Sequence, residues 1–154
     1  MNLFKSALHN IGVVLVGLGI ASIGAYLDSL LGVRSFHSVI AIFAAVPLLL
    51  AGFLLRVWAT LLFYERGMKV ISLKPQKALI TSGPYRFSRN PLYVGGNVFI
   101  FFGAALLVGS PSAVVITALH LPLVALGVRR EERQLEKDFG EDWARYKNQV
   151  RRWV

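Results

Sequence analysis

Two stretches carry most of the residue types suited to chemistry. The first is Gly83-Pro84-Tyr85-Arg86-Phe87-Ser88-Arg89-Asn90-Pro91-Leu92-Tyr93-Val94-Gly95-Gly96, and the second is Glu131-Glu132. Asn90 before Pro91 reads as a helix start, since Asn caps free amides and Pro fits the first turn. The positive end of that helix then points toward Arg86 and Arg89, and helix N-termini with nearby Arg bind anions or carboxylates. Tyr93 and Gly95-Gly96 fall in the next turn, where paired glycines permit close approach of a ligand or another helix. A capped helix with interfacial aromatics accounts for the same residues without a ligand. The adjacent carboxylates lie at a helix C-terminal end, where the dipole disfavours anions. Arg129, Arg130 and Arg133 offset them in part, and a solvated charge run is the plainer account. Both stretches are expected at one membrane depth on one side, and that combination marks them as a site.

The elements that position these residues are drawn by the absence of charge. No Asp, Glu, Lys or Arg lies between Lys5 and Asp28, between Arg34 and Arg56, or from Asn90 to Val128. A bilayer span takes about 20 apolar residues. The third gap is two spans long and is broken by Gly109-Ser110-Pro111-Ser112, a turn that places Pro111 in the first position of the next helix. The expected fold is all-α and polytopic, one domain over residues 1–154. Its membrane helices run over 8–31, 38–64, 92–109 and 111–128, the last two as a tight hairpin. The first apolar run is longer than the signal-peptide core of about 7–15 residues, so it reads as a span. Gly17, Ala21 and Ala25 form a small-residue stripe for close helix packing.

Hydrophobic residues make up 55% of the chain and charged residues 16%, against about a quarter charged in a soluble domain. That balance excludes an ordinary soluble fold and excludes disorder. The chain has no cysteine, so it holds no disulfide, no thiolate nucleophile and no Cys-based metal site, and no metal is expected. The net charge of +9 comes from Lys and Arg gathered outside the spans. Arg66, Lys69, Lys74, Lys77, Arg86 and Arg89 fall between helices two and three. Arg129, Arg130, Arg133, Lys137, Arg145, Lys147, Arg151 and Arg152 fall in the tail. With Lys5 they share one side, and Arg34 alone lies opposite. By the positive-inside rule both termini and the segments 65–91 and 129–154 face the cytoplasm. The charge is explained by topology and anionic headgroups, so no nucleic-acid partner is expected.

In the tail, Leu135, Phe139, Trp143, Tyr146, Val150 and Trp153 recur at helical spacing, which predicts an amphipathic C-terminal helix resting on the headgroups. The loop between helices two and three carries breakers at Lys74-Pro75 and Ser82-Gly83-Pro84. Two ionisable residues lie within spans. His120 is a functional candidate by position or a neutral ring bonded to a neighbouring helix. Arg56 is expected to snorkel to the interface; turned inward, it becomes a candidate substrate contact.

Taken in order, GPYRFSRNPLYVGG, a membrane hairpin and EERQLEKDFGEDWARYKNQVRRW resemble the isoprenylcysteine carboxyl methyltransferase and phospholipid methyltransferase superfamily, from about Phe63 to Val154. The resemblance implies an integral membrane methyltransferase using S-adenosylmethionine, with S-adenosylhomocysteine as product, and a lipophilic acceptor reached from the bilayer. The membrane would be a bacterial or archaeal inner membrane or an organelle membrane. Carried over by matching position, the cofactor contacts are Lys77, Ala78, Leu79, Ile80, Tyr85, Asn90, Pro91, Leu92, Tyr93, Glu131 and Glu132. The two Glu also serve as candidate catalytic residues, and Arg56 and His120 as candidate substrate contacts. Two departures stand out. Asn90 replaces a frequent His, so no titrating base is available there. Gly127 replaces an Arg that holds a carboxylate in prenylcysteine-methylating members, and Arg56, Arg129 or Arg130 are the candidates to stand in for it. The competing expectation is a non-catalytic membrane module, an assembly or transport subunit.

Overall fold

The computed structural model describes residues 1–70 and 77–154. The expected breaker at Lys74-Pro75 lies outside the described residues. Among the described residues, four helices are long and apolar enough to cross a membrane: α1 (Asn2–Leu31), α2 (Val39–Glu65), α3 (Pro91–Val108) and α4 (Pro111–Gln149). A 3₁₀ turn, Gly83–Arg86, leads into α3. Helix α1 packs on the other three, and α2 packs on α3. Their outer faces carry exposed Leu, Ile, Phe and Val, as a lipid-facing surface requires.

The α3–α4 turn forms as its residues dictate. Gly109 ends α3 in the left-handed region at φ 69°, which glycine adopts without a Cβ penalty. Ser110 caps α4 by accepting from the Ala113 amide at 3.1 Å. Across the bundle, buried Asp28 of α1 accepts from the Ser110 hydroxyl and from the Ser112 amide at 3.0 Å. An acid at a helix N-terminus is favourably placed, and this one ties the end of α1 to the start of α4.

Close packing runs down α1 through Gly17, Ala21, Gly24 and Asp28, so Gly24 takes the place expected of Ala25. A Cβ on Gly24 would lie 2.5 Å from the Ala113 nitrogen, whereas one on Gly19 would meet nothing within 4 Å. Gly24→Val is therefore expected to cost about 1–3 kcal/mol by overpacking. Gly19→Val should stay within about 0.5 kcal/mol. Thermal unfolding in detergent micelles distinguishes them.

Three expectations need correction. Helix α1 begins at Asn2, not at residue 8. Helix α3 is not a uniform α-helix: Val94–Ile100 is π-helical, widened where Gly95 and Gly96 meet Arg56. Helix four does not stop at residue 128, and the tail's helix begins as its continuation. Residues 129–139 are good helix formers with no breaker, so α4 continues beyond the apolar span. It turns only at Gly140, whose φ of 49° and ψ of −116° kink the helix. The last turns are then directed back into the protein, with Trp143 2% and Tyr146 6% exposed. A Lys147–Glu136 ion pair at 2.8 Å spans the kink.

Candidate active site

The loop before α3 is anchored by an apolar cluster in which Ile80, Tyr85, Met68 and Ala59 pack with Leu62, Phe63 and Leu92. Gly83, at φ 61°, makes the turn that admits Pro84 and Tyr85 to the interior. From the other side the returned end of α4 meets this loop. The Tyr146 hydroxyl donates to the Tyr85 carbonyl at 2.7 Å. The Arg89 guanidinium lies over the Trp143 ring, 5.6 Å from its centroid, a cation–π arrangement.

Beyond α4 the chain becomes extended and lies against residues 88–90. The Arg89 amide donates to the Arg151 carbonyl at 2.9 Å, and the Arg152 carbonyl accepts from Asn90 Nδ2 at 3.0 Å and Ser88 Oγ at 3.4 Å. The Asn90 side chain therefore does not cap α3 as expected. Its amide is engaged by Arg152 and by Glu132, while the α3 start is closed by backbone bonds from Tyr93 and Val94 to the Asn90 carbonyl.

The two acids have different surroundings. Glu132 is 7% exposed. Its Oε2 accepts from Arg152 Nε at 2.9 Å and Nη2 at 2.8 Å, and its Oε1 faces Arg89 Nη2 at 3.6 Å and Asn90 Nδ2 at 3.4 Å. Two guanidiniums and an amide thus clamp one buried carboxylate. Glu131 is exposed, and its Oε1 accepts from the Tyr93 hydroxyl at 2.5 Å, a charge-assisted bond of short length. Arg89 Nε and Nη1 are buried without a hydrogen-bond partner among the described residues.

Arg56 turns inward instead of snorkelling. It is 8% exposed, with Nε donating to Asn10 Oδ1 at 2.8 Å and Nη1 to the Leu92 carbonyl at 2.6 Å. Glycines make this possible: a Cβ on Gly95 would lie 2.7 Å from Arg56 Cγ, and one on Gly96 2.9 Å from Nη1. Asn10 in turn donates to Thr60 Oγ1 at 2.8 Å, and Ser6 contacts the same hydroxyl. Sequence reasoning missed this polar layer, although Ser6/Asn10 and Arg56/Thr60 each stand four apart, one helix face apiece. Burial pushes the Tyr85 phenol well above its ordinary range. Tyr146 raises it further, Arg56 opposes the rise, and Glu131 and Tyr93 add to it. Arg56, Tyr93 and Glu131 thus each lie within electrostatic reach of Tyr85.

The remaining expected residues divide. Pro91 is buried and Leu92 half-buried beside Arg56, whereas Lys77 and Ala78 are exposed and Leu79 half-buried at the entry to the loop. His120 lies away from this group, with its ring 6.1 Å from that of Phe101. A cleft of about 310 Å³ opens beside the loop, lined by Thr81, Arg86, Tyr146, Gln149 and Val150. Its lining includes neither acid, so the Tyr93–Glu131 contact, and not concavity, defines the candidate site.

A family model described as phospholipid methyltransferase matches residues 40–142. No curated protein and no solved structure matches the chain.

Proposed function

The chain belongs to the phospholipid methyltransferase family, and from that premise we propose that it transfers a methyl group from S-adenosylmethionine to a lipid-like acceptor bearing an amine, thiol or carboxylate. The observation that carries this reading is the meeting of the 83–96 stretch with the acid pair, through Tyr93 on Glu131 and Asn90 on Glu132. Both chain ends and the loop lie on the cytoplasmic side in this proposal, by the distribution of Lys and Arg.

The residues present suit the donor's charges. Exposed Glu131 would answer the sulfonium and ammonium, and the unpartnered Nε and Nη1 of Arg89 would answer the carboxylate. Lys77 to Ile80, Tyr85 and Asn90 to Tyr93 would form the remaining wall. S-adenosylmethionine supplies an already activated methyl carbon, so the chain's task is to align the acceptor with it and exclude water. With the donor bound, the acceptor's lone pair would form the new bond to carbon as the carbon–sulfur bond breaks, and sulfur would keep the electron pair. Where the acceptor is an amine, its proton passes to Glu131, within reach of the site and free of any ion pair among the described residues. Glu132 positions the C-terminal segment, Arg89 and Asn90 around this centre.

Tyr93→Phe should leave the thermal midpoint nearly unchanged and lower methyl transfer roughly 10-fold or more, the size of a lost hydrogen bond to a charged group. The direct test of the reading incubates purified protein with radiolabelled S-adenosylmethionine and total lipids. Label in a lipid product supports it; no labelled product, together with no binding of the donor, favours a non-catalytic module.

A further inference from the structure

We infer that residues 141–154 form a lid over the donor site, hinged at Gly140 and latched shut by the contact of Arg152 with Glu132. This rests on the methyltransferase reading above and adds to it how the donor enters. In that reading the donor's carboxylate meets Nε and Nη1 of Arg89, and both atoms are buried. Two of the groups that cover Arg89 belong to the arm. The Trp143 ring lies on its guanidinium, 5.6 Å from Cζ to the ring centroid, and the Arg151 carbonyl accepts from its amide at 2.9 Å. A ligand reaches a guanidinium so covered only after the cover moves.

The arm is built to move as a unit. Its helical turns run to Gln149 and meet the rest of α4 at Gly140, whose φ of 49° and ψ of −116° suit glycine alone. A Cβ on Gly140 would meet nothing within 4 Å, whereas one on Gly24, Gly52 or Gly95 would collide. Glycine at 140 therefore serves the bend and not close packing, and a few such positions absorb the backbone change when a domain closes. The contacts that hold the arm are reversible ones. Tyr146 donates to the Tyr85 carbonyl, Ser88 and Asn90 donate to the Arg152 carbonyl, and Lys147 pairs with Glu136. The side chains of Lys147, Glu136 and Arg152 are 39%, 51% and 36% exposed, so solvent screens their charges and the pairs release readily. Glu132 joins the two sides, holding Arg152 of the arm while facing Arg89 and Asn90 of the loop. Closed, the arm would keep water from the donor.

The chain has no cysteine, so the arm can be locked at one chosen place. Glu136→Cys with Lys147→Cys, a pair outside the site, is bridged across the kink by a bis-methanethiosulfonate in protein purified in a neutral detergent. Stopped-flow tryptophan fluorescence then follows S-adenosylhomocysteine. Relative to the same variant unbridged, the bridge should slow association and dissociation roughly 10-fold or more, and reduction should restore both. Equal rates with and without the bridge would mean fixed walls and overturn the proposal. Gly140→Ala should act in the opposite direction, because alanine is strained at positive φ. Dissociation of S-adenosylhomocysteine and trypsin cleavage after Arg151 and Arg152 should each quicken roughly 10-fold. Wild-type values for both in Gly140→Ala also overturn the proposal. Failure of S-adenosylhomocysteine to bind wild type would remove the methyltransferase reading, and proteolysis then decides alone. Faster cleavage in Gly140→Ala would keep the hinged cover over Arg89, and equal cleavage would overturn it.

Discussion

Replacing Glu132 with leucine is expected to destabilise the purified protein by about 3–5 kcal/mol, the cost of breaking a buried ion pair from one side. The leucine would leave Arg89, whose side chain is 8% exposed, facing no carboxylate, and would release Arg152. With Arg152 free, the bonds from Ser88 and Asn90 to its carbonyl lose their register, so the C-terminal segment should separate from the loop before α3. Thermal unfolding in detergent reads the stability, and limited proteolysis at Arg151 and Arg152 reads the detachment. Arg152→Ala should reproduce the proteolysis with a smaller loss of stability, because its side chain is 36% exposed and solvent screens an exposed charge. An unchanged midpoint in Glu132→Leu would show that the clamp contributes nothing.

Glu131→Gln should behave in the opposite way. This acid is exposed and bonded only to the Tyr93 hydroxyl among the described residues, and the amide can accept the same bond. The midpoint should therefore stay within about 0.5 kcal/mol of wild type. Affinity for S-adenosylmethionine should nonetheless fall roughly 10- to 100-fold, the worth of a hydrogen bond to a charged group. Adjacent acids with opposite mutational profiles would separate the residue that answers the ligand from the one that holds the walls.

What was legible in the sequence follows from the range of the forces involved. The spans were readable from charge gaps because lipid excludes charge over a whole helix length. The α3–α4 turn was readable because Gly109, Ser110 and Pro111 each act on their own backbone. The approach of Glu131 to Tyr93 was legible in outline, since a tight hairpin over 92–109 and 111–128 returns the end of one span to the depth at which the other begins. That the two stretches wall one pocket was anticipated only through the resemblance. The inward course of Arg56 was not legible: it depends on Asn10 of α1 and on Gly95 and Gly96 of α3, three partners distant in the chain. Asp28 was hidden in the same way, because its role requires the α4 N-terminus to arrive beside it. The helical spacing of the tail gives no notice of Gly140, whose positive φ sets the tail's direction.

The central claim is that the loop before α3 and the acids at the end of the α4 span wall one methyl-donor site. Titration calorimetry of S-adenosylmethionine into wild type and Glu131→Gln, both shown folded by their melting midpoints, tests it most directly. The account predicts one saturable site of micromolar affinity in wild type and affinity weaker by roughly 10- to 100-fold in the variant. Absence of binding to wild type, or binding of equal strength to the variant, would contradict it.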